Sequence, residues 1–213
     1  MGIVERYRGS WNIQLAPLGV EQALSLGRRT EGQWSKIYHS DLGRTTRTAK
    51  CIQQYSPEAE LISTKALRPL HLGELEGAEV TPERNKFMSN IARNFPDKVL
   101  PGISPKSDEP GESLNSFKKR MLNLVIKAEK ALSPGEKIVL AAHYRNVQLL
   151  RSWLDNGKPK DLSINIDMFC RKGPQEPGSL WWLDPEESKL VESEDAREPG
   201  LYVARHGATS ANA

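Results

Sequence analysis

Two strand candidates of this chain carry unbroken apolar runs: 136–142 (EKIVLAA), apolar from Ile138 onward, and 200–204 (GLYVA). A strand that alternates apolar with polar residues buries one face, whereas one that is apolar at successive positions must be covered on both. These two runs therefore call for layers on either side of a sheet. Helical patterns supply the layers. Pro17–Arg29 reads as a helix with a proline in its first turn. Residues 42–55, 81–95 and 146–155 read as further helices, and Pro96 stops the second of them. Across 112–132, Phe117, Met121, Leu124, Val125, Ala128 and Leu132 recur at helical spacing and form one buried stripe. Residues 35–40 and 59–64 are shorter strand candidates, and 178–184 with 189–192 fits a hairpin. The alternation predicts an α/β fold, a three-layer sandwich with a mostly parallel central sheet flanked by helices. No repeat or linker interrupts the 213 residues, so a single domain over 1–213 is expected. The stretch 98–111, rich in Pro, Gly and Ser, is long enough for a lid or an insertion.

The charge balance narrows the partners. Thirty bases against 27 acids leave a formal charge of +3, spread along the chain without a basic stripe. That argues against a nucleic-acid surface and suits a small anionic substrate. Cys51 and Cys170 belong to no CxxC pair and no metal-ligand cluster, which fits reduced thiols. No leader-like or bilayer-length apolar run is present, so a cytoplasmic protein without a membrane partner is expected.

The chemistry-bearing residues gather where strands end. The last strand runs into Arg205-His206-Gly207-Ala208-Thr209. In an α/β sheet ligands bind beyond the carboxyl ends of strands. There Arg205 can grip phosphate oxygens with its planar fork, Gly207 permits close backbone approach, and His206 can attack phosphorus. The strand 136–142 ends at His143, which either stands beside His206 or fills a structural place. The strand 35–40 ends at Ser40 and leads into a helix bearing Arg44, an anion site or a solvated charge.

Taken together these residues resemble the histidine phosphatase superfamily, with its phosphoglycerate mutase-like fold. The family's Arg-His-Gly-x-Thr matches Arg205 to Thr209, and its following Asn matches Asn212. Its Arg-x-x-Gly substrate loop matches Arg6 to Gly9, and its Leu-x-x-x-Gly-x-x-Gln-Ala helix matches Leu15, Gly19, Gln22 and Ala23. The Ser-x-Leu-x-Arg-x-x-x-Thr-Ala pattern falls on Ser40, Leu42, Arg44, Thr48 and Ala49. The His-Leu-Gly-x-x-Glu-Gly stretch falls on His71 to Gly77, Gly-Glu-Ser on Gly111 to Ser113, and the second histidine on His143.

The resemblance implies a phosphoryl-transfer enzyme. His206 would be the nucleophile, with Arg205, Arg44 and His143 in the catalytic group and Asn212, Arg6, Gly9 and Thr209 binding the substrate. It implies a small phosphorylated substrate and neither metal nor organic cofactor. The sequence departs from the family twice. The Arg-His-Gly strand follows the substrate loop instead of preceding it, so the chain reads as circularly permuted. Pro69 stands where the family carries a glutamate that protonates the leaving group. His71, Glu74 and Glu76 are the candidates to replace it, although Glu76 matches a family position of its own. A phosphomonoester phosphatase fits best. The alternatives are mutase-type transfer and a poorly catalytic phosphate-ligand module. Arg6, Arg8, Arg145 and Lys172 are candidates for a further anionic group on the substrate or for solvated charges.

Overall fold

A computed structural model describes residues 5–171 and 176–209. Six helices are found there: α1 Pro17–Arg29, α2 Gly43–Gln53, α3 Pro82–Asn94, α4 Leu114–Lys130, α5 Tyr144–Asp155 and α6 Ile166–Cys170. Six strands, β1 Lys36–His39, β2 Glu60–Ser63, β3 Lys137–Ala142, β4 Leu180–Asp184, β5 Lys189–Ser193 and β6 Gly200–Arg205, form one sheet in the order β2-β1-β3-β6-β4-β5. The pairings β1–β2, β1–β3 and β3–β6 are parallel, while β4 is antiparallel to both β5 and β6. The sheet is thus mixed, a parallel block closed on one side by the hairpin.

The two apolar runs behave as their composition requires. In β3, Ile138, Leu140 and Ala142 enter one core with residues of α4 and α5, and Val139 and Ala141 enter a second with residues of α1 and α2. In β6, Leu201 and Val203 face the first core, Tyr202 and Ala204 the second. Both strands sit inside the sheet, which is why neither tolerates a polar face. Phe117, Met121, Leu122, Val125 and Ala128 form the buried stripe of α4. Its first turn is capped by Ser113, whose Oγ accepts from Ser116 N at 3.2 Å. Thr81 caps α3 in the same way, ahead of Pro82.

The segment 98–111 is held onto the fold. Leu100 is buried, Glu74 N donates to Pro101 O at 3.0 Å, and Glu112 N donates to His71 O at 2.9 Å. Among the described residues no helix is long and apolar enough to cross a membrane.

Register brings the strand ends level: His39 lies opposite Ala141, and Ala142 opposite Arg205. The next residues, Ser40, His143 and His206, leave the sheet at one edge. Beyond β6 the backbone presses against the start of α1. A Cβ on Gly19 would lie 1.9 Å from Ala208 O, and one on Gly207 would lie 2.2 Å from Gly19 O. Ala16 N also donates to Ala208 O at 3.0 Å, and Ala208 N to Gln22 Oε1 at 2.9 Å. Gly19→Ala should therefore displace the segment after His206 and destabilise the fold by about 1–3 kcal/mol. That is a drop of roughly 2–12 °C in a thermal melt. An unchanged melting temperature would contradict the close packing.

Candidate active site

His206 and His143 lie with ring centroids 5.2 Å apart and planes at 67°. They follow directly from two adjacent parallel strands, and His206 N donates to Ala142 O at 3.1 Å, extending the ladder by one bond. Both rings are buried. His206 Nδ1 is 2.7 Å from Gly207 O. A carbonyl oxygen only accepts, so Nδ1 carries the proton, and Nε2 of the neutral ring keeps its lone pair. Burial above all, then the neighbouring Arg44, holds this imidazole well below its ordinary 6.5. The ring is therefore neutral at pH 7.

His143 is fixed from both sides. Arg44 Nε donates to its Nδ1 at 3.1 Å, and its Nε2 lies 2.9 Å from Ser40 Oγ. With Nδ1 accepting, Nε2 bears the proton and Ser40 accepts it. Ser40 Oγ in turn meets Thr45 Oγ1 at 2.5 Å. Burial, then Arg44, holds His143 well below 6.5 as well.

Arg44 is the structural hub. It is buried in α2, and its Nη1 and Nη2 donate to Trp11 O at 2.6 Å and Gly9 O at 3.0 Å. Burial first, and then the nearby Arg8, pushes its guanidinium down to about 9. It remains charged at neutral pH. Arg8 and Arg205 are lowered for the same first reason, burial, and Arg8 also acts on Arg205. Three guanidiniums sharing a poorly solvated spot repel one another, and an anion placed among them removes that cost. Arg205 also lies over the Tyr144 ring, 5.5 Å from its centroid.

These groups open onto a cleft of about 550 Å³ lined by Arg6, Arg8, Gly9, Arg44, His143, Arg145, Arg205 and His206, together with Pro69, Tyr144 and others. Of the site residues expected from sequence, the fold brings His206, Arg205, Arg44, His143, Arg6 and Gly9 together here. Gly9 acts through its carbonyl on Arg44. Its φ of +45° and the 2.1 Å between a built Cβ and Glu76 Oε1 explain why no side chain stands there. Thr209 is buried in a bridge with Leu15 and does not line the cleft. Asn212 and Lys172 lie outside the described residues.

The replacement acid is not found among the three candidates. Glu76 is buried and accepts from Ser10 N at 2.5 Å, Ser104 Oγ at 2.6 Å and Ser107 Oγ at 3.0 Å, a clamp on the loops. His71 Nδ1 pairs with Ser10 Oγ at 2.7 Å, and neither His71 nor Glu74 lines the cleft. Pro69 does line it, and its carbonyl accepts from Arg120 Nη2 at 2.8 Å. Glu5 is the one carboxylate among the described lining residues. Sequence reasoning left Arg8 and Arg145 undecided and gave Ser40 and Tyr144 no role. Adjacency of Ser40 to a strand end and of Tyr144 to His143 was the available signal.

The sequence profile of the histidine phosphatase superfamily (branch 1) matches residues 3–171, and the chain belongs to that family. The matched span stops before β4, so Arg205 and His206 lie outside it. The chain is 26% identical over 178 residues to "Phosphoglycerate mutase-like protein 4" of Arabidopsis thaliana, covering 77% of this chain and 71% of the relative. It is 24% identical over 167 residues to "Uncharacterized phosphatase PhoE" of Bacillus subtilis (strain 168), covering 78% and 77%. Among solved structures, the α-ribazole phosphatase of Shigella flexneri superimposes with a TM-score of 0.57 at 17% identity, over 88% of this chain and 86% of that one. The last likeness is one of fold.

The depressed histidines fix how stability depends on acid. An unfolded chain takes up these protons near 6.5, the folded sites only at lower pH. Protons therefore favour unfolding below 6.5, and the stability present above that value is lost as the pH falls. The slope is at most about 1.4 kcal/mol per pH unit for each histidine. Urea melts at pH 7.5 and 5.5 should show the loss, and replacing His143 with Asn should reduce it.

Proposed function

We propose that the chain is a phosphomonoester phosphatase that works through a phosphohistidine on His206. The observation that carries this reading is the 2.7 Å contact of Nδ1 with Gly207 O, which leaves a neutral Nε2 lone pair beside Arg44, Arg205 and Arg8. The Nε2 lone pair attacks phosphorus and forms the P–N bond as the P–O bond to the leaving group breaks. The arginines hold the phosphoryl oxygens and balance their charge, and His143, held by Arg44 and Ser40, packs against the attacking ring. The leaving oxygen takes its proton from water. A second water then attacks phosphorus, the P–N bond breaks, the ring regains its lone pair, and the proton this water sheds neutralises the hydroxide left by the first. The step uses neither metal nor organic cofactor. Membership of a family whose relatives carry phosphatase and mutase-like names supports phosphoryl chemistry. Pro69 in the cleft favours hydrolysis over mutase transfer, which calls for a protonating group on the bridging oxygen.

The permuted order belongs to the same reading. β6, downstream of the matched span, lies in the middle of the sheet, and Gly207 packs on Gly19. That is the neighbourhood a strand preceding α1 would occupy.

Two outcomes follow. His206→Ala should lower kcat at least about 10⁴-fold and abolish any acid-labile phosphoenzyme; turnover near that of the parent protein would refute the nucleophile. With Pro69 in place of the family's glutamate, p-nitrophenyl phosphate should exceed ethyl phosphate in kcat/KM by at least about 10²-fold. Tight phosphate-ester binding with no turnover of either would make the chain a binding module.

A further inference from the structure

Beside the cleft lies a second cavity of about 180 Å³. The two share Leu70, Asn85, Met88 and Arg145 as common wall. Beyond that wall the lining is mostly apolar, with Ile91 and Ala92 of α3, Leu100 of the 98–111 segment, Leu114 of α4, and Phe169 of α6; Ser89 and Glu112 also line it, and Glu112 is held by Arg120 at 2.7 Å. Ile91, Leu100, Leu114 and Phe169 are buried and belong to the first core. An apolar cavity of about 150 Å³ stays dry and accepts benzene. Polar groups stand at its margin: Asn85 Oδ1 accepts from Tyr7 at 2.7 Å, and Arg145 Nη1 donates to Phe169 O at 3.1 Å.

Resting on the phosphatase reading above, we infer that this annex seats the leaving group of the substrate, and that the leaving group carries a compact apolar ring, aromatic in size and shape. The phosphate sits among Arg8, Arg44 and Arg205, and the ring passes Met88 and Leu70 into the annex. The annex is a mostly apolar outlet of a cleft whose lining carries five arginines. A polyanionic or highly hydroxylated leaving group would gain nothing from Ile91, Leu114 and Phe169.

The test separates this from the catalytic reading by measuring binding without chemistry. Kd values for benzylphosphonate and methylphosphonate are obtained by calorimetry on the whole chain, with p-nitrophenyl phosphate turnover measured in parallel. Benzylphosphonate should bind at least about tenfold more tightly than methylphosphonate, the range in which small apolar groups are discriminated. Ala92→Phe fills the annex from α3 and should cut that advantage to less than about twofold. Equal Kd values for the two phosphonates in the parent protein overturn the inference, whatever becomes of the variant. An advantage that survives unchanged in folded Ala92→Phe overturns the placement of the ring. Absence of p-nitrophenyl phosphate turnover defeats the phosphatase reading, while the Kd ratio still decides whether the annex accepts a ring.

Discussion

Parallel pairing of β3 with β6 sets the geometry on which everything at the sheet edge rests. Because Ala142 lies opposite Arg205, the next residue on each strand is a histidine, and their rings meet at 5.2 Å. A slip of one residue would turn every side chain of β6 to the other face, sending Tyr202 into the core that receives Val203. Burial on both faces makes such a slip costly, so the same apolar composition that builds the sheet also fixes the distance between the two rings. Gly19 and Gly207 complete the positioning, since their close approach holds the backbone that bears the Nδ1 acceptor of His206.

Charge is concentrated where this frame is most rigid. Arg44 reaches into the site with two donors committed to Trp11 O and Gly9 O, leaving its Nε–H to orient His143. Glu76, held by three donors from the loops Ser10 and Ser104–Ser107, keeps the Gly9 turn in place. The carboxylate thus stabilises the arginine site indirectly, without entering the cleft. Preorganised cations in a poorly solvated cleft act more strongly on developing phosphoryl charge than the same groups would in water. Their mutual repulsion before an anion arrives is the energetic counterpart of that capacity.

Much of this was legible in the residues. The apolar runs ending at Ala142 and Ala204 announced strands covered on both faces, and the residues after them announced the site. The helix α1 has the bounds its proline and arginine pair suggest. What stayed hidden was short or assembled from afar. The five-residue α6 and the 3-10 turns Lys65–Leu67 and Gly73–Leu75 contain too few residues to show a period. Arg8 and Arg145 could not be told from surface charges, because only the fold turns them toward the cleft. Glu74 and His71 are near Pro69 in sequence, yet the 3-10 turn and the bond to Ser10 hold them elsewhere. The annex has no local signature, since its walls come from α3, α4, α5, α6 and two loops.

The central claim is that a neutral His206, protonated on Nδ1, attacks through Nε2. Brief reaction of the ¹⁵N-histidine-labelled protein with p-nitrophenyl phosphate, quenched in alkali and mapped by peptide and by ¹⁵N–³¹P correlation, reads this directly. The account predicts a single phosphorylated residue, His206, with phosphorus on Nε2. Phosphorus on Nδ1, or on His143, or on a residue other than histidine, would contradict it.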